Sequence, residues 1–161
     1  SIANAVPASD QFHPALVPSY VEDDLVGLLT AERATKRAHQ QDRERGLFMR
    51  RMTRYRETWL HTFPEIGTDA DLLRILRMLS IAALNNELID IKSTTAFVGL
   101  PPATVSRKIN QLMQLGLVSK KPDYLDRRRV YLVLNDSTLE RVRKCIDQCL
   151  MSIKMEPFFM A

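Results

Sequence analysis

The chain has 161 residues, 45% of them hydrophobic and 26% charged, with a formal net charge of +4. This is the size and composition of one ordinary soluble globular domain. No stretch reaches the roughly 18 to 20 uninterrupted apolar residues of a membrane span, and the first twenty residues show no basic segment followed by an apolar one, so neither a membrane-spanning protein nor a secretory signal is expected.

A sequence pI near 9.3 is compatible with a polyanionic partner, but where the cations sit matters more. Residues 1–20 contain Pro7, Pro14 and Pro18 without sustained periodicity and read as an arm. Helical patterning begins near Val21 with the apolar cluster Leu25, Val26, Leu28 and Leu29. An almost purely polar run follows from Ala31 to Gly46. An apolar stripe then returns at Phe48, Met52, Tyr55, Trp59 and Phe63, in steps of four, three, four and four, which is the spacing of one helix face. A helix so polar in its first half reads as a solvated strut or as half of an intersubunit contact. Pro64 ends it.

Thr68 to Asn85 reads as the next helix, with Thr68 as N-cap and Asp71 three residues on. Its apolar residues, Leu72, Leu73, Ile75, Leu76, Met78, Leu79, Ile81 and Leu84, cover more than one face and predict a central place in the core. After a break at Asn85, Asn86 and Glu87, residues Leu88 to Ile91 read as a short strand or as helix.

Ser93 to Val98 reads as a short helix closed by Gly99, which takes a left-handed position at little cost. Pro101 and Pro102 restart the chain. Proline suits the first helical position because its missing N–H would be unsatisfied there. The second helix runs to Leu115, with Val105, Ile109 and Leu112 inward, and Gly116 stops it. Leu117 to Lys121 and Arg129 to Leu134 alternate, and the polar PDYLDRR between them predicts a hairpin.

Ser137 with Glu140 reads as a capping box for the last helix. That helix presents Leu139, Val142, Ile146, Cys149, Leu150 and Ile153 on one stripe, and Pro157 closes it. Two cysteines, Cys145 and Cys149, lie four apart on this stripe. They read as buried, inert thiols rather than a disulfide framework, with redox sensing at Cys145, among Arg141, Arg143 and Lys144, as the alternative, and a reducing, cytoplasmic setting is expected.

Short helix, tight turn, second helix and hairpin, in that order, make a winged helix-turn-helix. The expected fold class is therefore mainly α with a small β-hairpin, flanked by N- and C-terminal dimerisation helices. The inward positions of the second helix leave Ala103, Thr104, Arg107, Lys108 and Gln111 outward, with Ser106 near the boundary. The N-terminal end of a recognition helix meets base edges. Arg107 and Gln111 have the forked geometries that read guanine and adenine, while Thr104 and Ser106 can donate to phosphate or base. Ser93 and Thr94, at the start of the motif, join the expected contact set. The hairpin tip gathers Lys120, Lys121, Arg127, Arg128 and Arg129, with Asp123 and Asp126 opposing. Cations so placed neutralise phosphates and release counterions.

These residues resemble the winged-helix domain of the MarR (multiple antibiotic resistance regulator) family of bacterial transcription factors. The helix signature is Ala103-Thr104-Val105-Ser106-Arg107, then Leu112 to Val118, and the wing signature is Asp126-Arg127-Arg128 before the strand Arg129 to Leu134. The resemblance covers about a third of the chain. It implies that Asp126 braces the wing, that Arg128 reaches the minor groove, and that a homodimer binds a palindromic operator in double-stranded DNA, as a repressor. Three departures stand out. Pro101 replaces a serine N-cap, Asn135 replaces a threonine after the last strand, and one long helix follows the wing where the family commonly has two.

Proteins of that family commonly bind a small aromatic or phenolic effector, and Met52, Tyr55, Trp59 and His61, with Leu76 or Leu79, would line such a crevice. Their spacing is equally that of a core stripe. His13, His39 and His61 are scattered, so no metal is expected. No cofactor is expected either, and no Gly-rich phosphate loop or nucleophile elbow suggests an enzyme. The resulting division is an arm over 1–20, a helical dimerisation region over 21–66, the winged helix over 67–135, and a dimerisation helix with tail over 136–161. The alternative function is a winged-helix protein-interaction module without specific DNA binding.

Overall fold

A computed structural model describes residues 19–155. Most of the expected arm, and the stop at Pro157, lie outside the described residues. Helix α1 spans Ser19–Thr62 without interruption. By backbone contacts the chain divides into two compact units, residues 1–49 and residues 50–161.

In the first unit, the described part of α1 is solvated on nearly every face. Leu25, Val26, Leu28 and Leu29 are all exposed. The polar run is stabilised locally, by ion pairs Lys36–Glu32 at 2.9 Å and Arg45–Asp42 at 2.8 Å, spaced one turn apart. Exposed pairs of this kind contribute little individually.

The second unit holds the core. The end of α1 sends in Trp59 and Phe63, whose rings stack at 5.6 Å, with Tyr55 edge-on to Trp59 at 6.1 Å. A short 3-10 turn over Pro64–Ile66 leads to α2, Ala70–Leu84. The cap of α2 differs from the expected one. Asp69, not Thr68, is the N-cap, and its carboxylate accepts from the N–H groups of Asp71 at 3.1 Å and Leu72 at 3.0 Å. The preceding turn places Asp69 rather than its neighbour against those amides. Leu72, Leu73, Ile75, Leu76, Met78 and Leu79 are buried, as their spread around the helix implied, but Ile81 and Leu84 are exposed. The last turn of α2 therefore keeps Ala82 in the core and leaves its other face uncovered.

Strand β1 is short, Ile89–Asp90, and α3 (Ile91–Val98) follows directly. Asp90 caps α3 by accepting from the Ser93 N–H at 2.7 Å. Gly99 has φ +69° and ψ +21°, the left-handed closure that the sequence suggested. Helix α4 spans Pro102–Gln114 and begins at Pro101 with no side-chain cap. Val105, Ile109 and Leu112 are buried along it. Strands β2 (Val118–Pro122) and β3 (Val130–Leu134) form the hairpin, in register Val118 to Leu134 through Pro122 to Val130. β1 pairs on the other side of β3, giving an antiparallel sheet in the order β1-β3-β2.

Helix α5 spans Asp136–Met155. The expected capping box at Ser137 is not formed, because Ser137 already lies inside the helix. Asn135 before it turns its side chain back toward the hairpin instead, donating to the Gly116 carbonyl at 2.6 Å and accepting from the Ser119 hydroxyl. The departure from threonine at this position thus ties the turn after α4 to the start of α5. Arg141 anchors α5 to the end of α1. Its guanidinium donates to Glu65 Oε1 at 2.6 Å and to the Thr62 carbonyl at 2.5 Å, and lies over the Phe63 ring at 4.3 Å. Val142 and Cys145 are buried on α5, whereas Leu150 and Ile153 are exposed, so the core covers only part of its apolar stripe.

Candidate nucleic-acid interface

Two elements of the second unit carry the expected contact residues. α4 packs against β2, so the helix and the wing belong to one core. On α4, Ala103, Ser106, Arg107 and Gln111 are exposed, and Thr104 is half-buried. The Arg107 guanidinium lies 3.5 Å from the Thr104 hydroxyl, a weak contact that leaves it on the outer face. Asn110, which the sequence reading omitted, is exposed between Arg107 and Gln111. Its position, seven residues after Ala103 and three after Arg107, was a sufficient signal for the same outer face.

Two expected contact residues have other duties. Lys108 is half-buried and pairs with Asp69 at 2.5 Å. It clamps α4 to the N-cap of α2, because α2 and α4 pack at that corner. Burial pushes the Asp69 carboxyl up, but hydrogen bonds from Lys108 and the Leu72 and Asp71 amides outweigh it and leave the group below the usual carboxylate range. Thr94 is 0% exposed, and its hydroxyl donates to the Asp90 carbonyl at 2.8 Å. A side chain enclosed in its own core cannot reach a duplex. Ser93 is exposed, with its backbone N–H held by Asp90.

At the wing, Lys120, Lys121, Arg127, Arg128 and Arg129 are all exposed. Both aspartates at the tip accept backbone hydrogen bonds. Asp126 Oδ1 takes the Arg128 N–H at 3.0 Å, and its carbonyl takes the Arg129 N–H at 2.9 Å. Asp123, read from sequence only as an opposing charge, takes the Leu125 N–H at 2.9 Å and the Tyr131 hydroxyl at 3.0 Å. The Leu125 amide, then Tyr131, hold the Asp123 carboxyl below its ordinary range. Tyr131 and the carboxylates of Asp126 and Asp90 raise the already high pKa of Arg129. Arg127 and Arg128 thus project from a turn that is fixed at both ends.

Of the residues expected to line an effector crevice, Met52, Tyr55 and Trp59 share one stripe of α1, and His61 does not. Trp59 is 1% exposed and packed in the core, and Tyr55 is half-buried beside it. Met52 is exposed on the same stripe, above the core edge. His61 is exposed and lies nine residues from Met52, about 180° around the helix. Cys145 is also core, as its place on the stripe implied. Burial pushes its thiol up, and the nearby Arg141 is engaged by Glu65.

No family model matches the sequence, and no curated protein matches it. Solved structures do resemble it. The transcriptional regulator Tm0710 from Thermotoga maritima aligns with a TM-score of 0.54 at 19% identity, over 71% of this chain and 77% of that one. The S. aureus MepR–DNA complex aligns at 0.52 and 15% identity, over 68% of this chain and 86% of that one. A variant S. aureus MepR bound to an oligodeoxyribonucleotide aligns at 0.50 and 16% identity, over 69% and 81%. The fold is a MarR-like winged helix. Within that MarR-like fold, α4 is the second helix of the helix-turn-helix, and β2 with β3 is the wing. Among the described residues, no helix is long and apolar enough to cross a membrane.

Proposed function

We propose that this MarR-like chain is a sequence-specific, double-stranded DNA-binding transcriptional repressor that acts as a homodimer on a palindromic operator. The observation that carries the reading is the pairing, on one core, of a polar recognition face with a cationic wing whose turn is held by Asp123 and Asp126. The contacting set is Ser93, Ala103, Thr104, Ser106, Arg107, Asn110, Gln111, Lys120, Lys121, Arg127 and Arg128. Arg107 and Gln111 read bases, whereas the wing supplies phosphate neutralisation and, through Arg128, minor-groove contact. Residues 67–135 form the DNA-binding lobe in this proposal. Residues 21–66 and 136–161 join two copies, a role supported by the apolar residues left exposed on α1 and α5, including Leu25, Leu29, Leu150 and Ile153. Two-fold symmetry would set the recognition helices about 34–36 Å apart.

Selection from random duplexes, combined with a solution mass, tests the reading. A palindromic site and a dimer mass are expected. Recovery of no duplex at low salt, with a stable protein partner instead, would favour an interaction module. On the selected site, Arg128→Ala should weaken binding and reduce the salt slope by about 1. Arg107→Ala should change the selected bases, at a cost of about 1–3 kcal/mol in discrimination, whereas Lys120→Ala should leave the preference intact. Identical sequence preferences for these two variants would remove Arg107 as a base reader.

A further inference from the structure

Leu125 and Tyr124 stand at the tip of the wing, 98% and 90% exposed. A scattered surface leucine needs no explanation. These two are adjacent, however, and share one turn with Arg127, Arg128 and Arg129, which follow after Asp126. They are also held outward. Asp123 accepts the Leu125 N–H, the Asp123 N–H donates to the Arg129 carbonyl at 3.1 Å, and Asp126 accepts the Arg128 N–H. The loop is closed at its base and cannot turn these side chains back onto the sheet without breaking those bonds. Folding has therefore already met the entropic cost of presenting an apolar group beside a run of cations.

The minor groove is about 6 Å wide, too narrow for a helix but open to a single side chain from a hairpin tip. Its walls are phosphates, which match Arg127 and Arg128. Its floor is base edges, which offer an apolar side chain a place away from water. We propose that Leu125 is an apolar wedge that enters the minor groove and partly unstacks a base step while the flanking arginines hold the phosphates, so that this wing distorts the duplex as well as gripping it. The inference rests on the DNA-binding reading above and deepens it. Pyrimidine–purine steps, which unstack most easily, are the expected place of entry.

The test uses the full chain and the duplex recovered by selection, with 2-aminopurine placed in turn at each position under the wing. Wild type should raise the fluorescence at one step and bend the duplex. Leu125→Ala should abolish both signals and weaken binding roughly five- to tenfold, with an unchanged salt slope, because no phosphate contact is lost. Leu125→Met should retain the fluorescence rise. Arg128→Ala should lower the salt slope instead, which separates grip from wedge. Because Leu125 touches nothing in the core, unchanged melting of the alanine variant is the check on folding. Wild-type binding with no fluorescence change, or a Leu125→Ala variant that distorts DNA as wild type does, overturns the wedge and leaves DNA binding standing. Absence of any duplex binding overturns both. Leu125-dependent capture by anionic phospholipid vesicles, with no Leu125 effect on DNA, would assign the tip to a membrane surface and overturn the wedge.

Discussion

Replacing Trp59 with alanine is expected to lower the unfolding free energy by about 3–5 kcal/mol, the range for emptying a large aromatic from a closed core. Trp59 is 1% exposed, stacks on Phe63 and receives the edge of Tyr55, so two aromatic side chains lose a partner at once. A domain of this size is stable by only about 5–15 kcal/mol, so the variant should lose a large part of its stability. Trp59→Phe should be far milder. The indole N–H is buried without an acceptor among the described residues, and removing an unsatisfied donor recovers about 1–3 kcal/mol, which offsets much of the lost apolar contact. Since Trp59 is the single tryptophan of the chain, denaturation of the variants is followed by circular dichroism rather than fluorescence. An alanine variant within about 1 kcal/mol of wild type would show that Trp59 is not packed as described. Tight binding of an aromatic compound that the alanine variant loses while keeping its stability would restore Trp59 as an effector contact.

The second large effect is expected at Asp69, where one carboxylate serves two purposes. It caps α2 through the Asp71 and Leu72 amides, and it holds Lys108 of α4. Asp69→Ala removes both, at a cost of about 1 kcal/mol for the cap and up to about 1 kcal/mol for the half-buried ion pair. Asn is as good a cap as Asp, so Asp69→Asn should cost only the second part. Lys108→Ala should match Asp69→Asn in stability and leave the salt slope of DNA binding unchanged. A salt slope lowered by about 1 in Lys108→Ala would return Lys108 to the phosphate-contacting set.

The same pair and its counterpart at the base of α5 set the acid limit. Arg141 holds the Glu65 carboxyl below its ordinary 4.5, and Lys108 with the α2 amides holds Asp69 below its ordinary 3.8. Both groups bind protons more weakly folded than unfolded. Their stabilisation is therefore complete above about pH 4.5 and is lost as pH falls through the lower folded values. The melting temperature should fall below that pH, and the fall should be shallower in a Glu65→Gln, Asp69→Asn double variant. Parallel pH profiles for wild type and double variant would show that other carboxylates govern acid unfolding.

Much of this molecule is written locally. Gly99, Pro101 and Pro102 prescribe the turn of the motif wherever they occur, because they restrict φ and ψ residue by residue. The burial of Val105, Ile109 and Leu112 follows from helical period, and so does the outer face that bears Arg107 and Gln111. Alternation and a polar tip likewise announced the hairpin, and the order of these elements announced the winged helix. What local pattern cannot encode is which groups meet after the helices dock. Lys108 lies 39 residues from Asp69, and Arg141 lies 76 from Glu65. Only the crossing of α2 with α4, and the return of α5 to the end of α1, turn those outward-looking charges into clamps. Thr94 was hidden by the same packing, and Asn135 was drawn from its helix start to the turn at Gly116. Periodicity specifies which face of an element is buried; tertiary contact decides which polar groups remain for a partner.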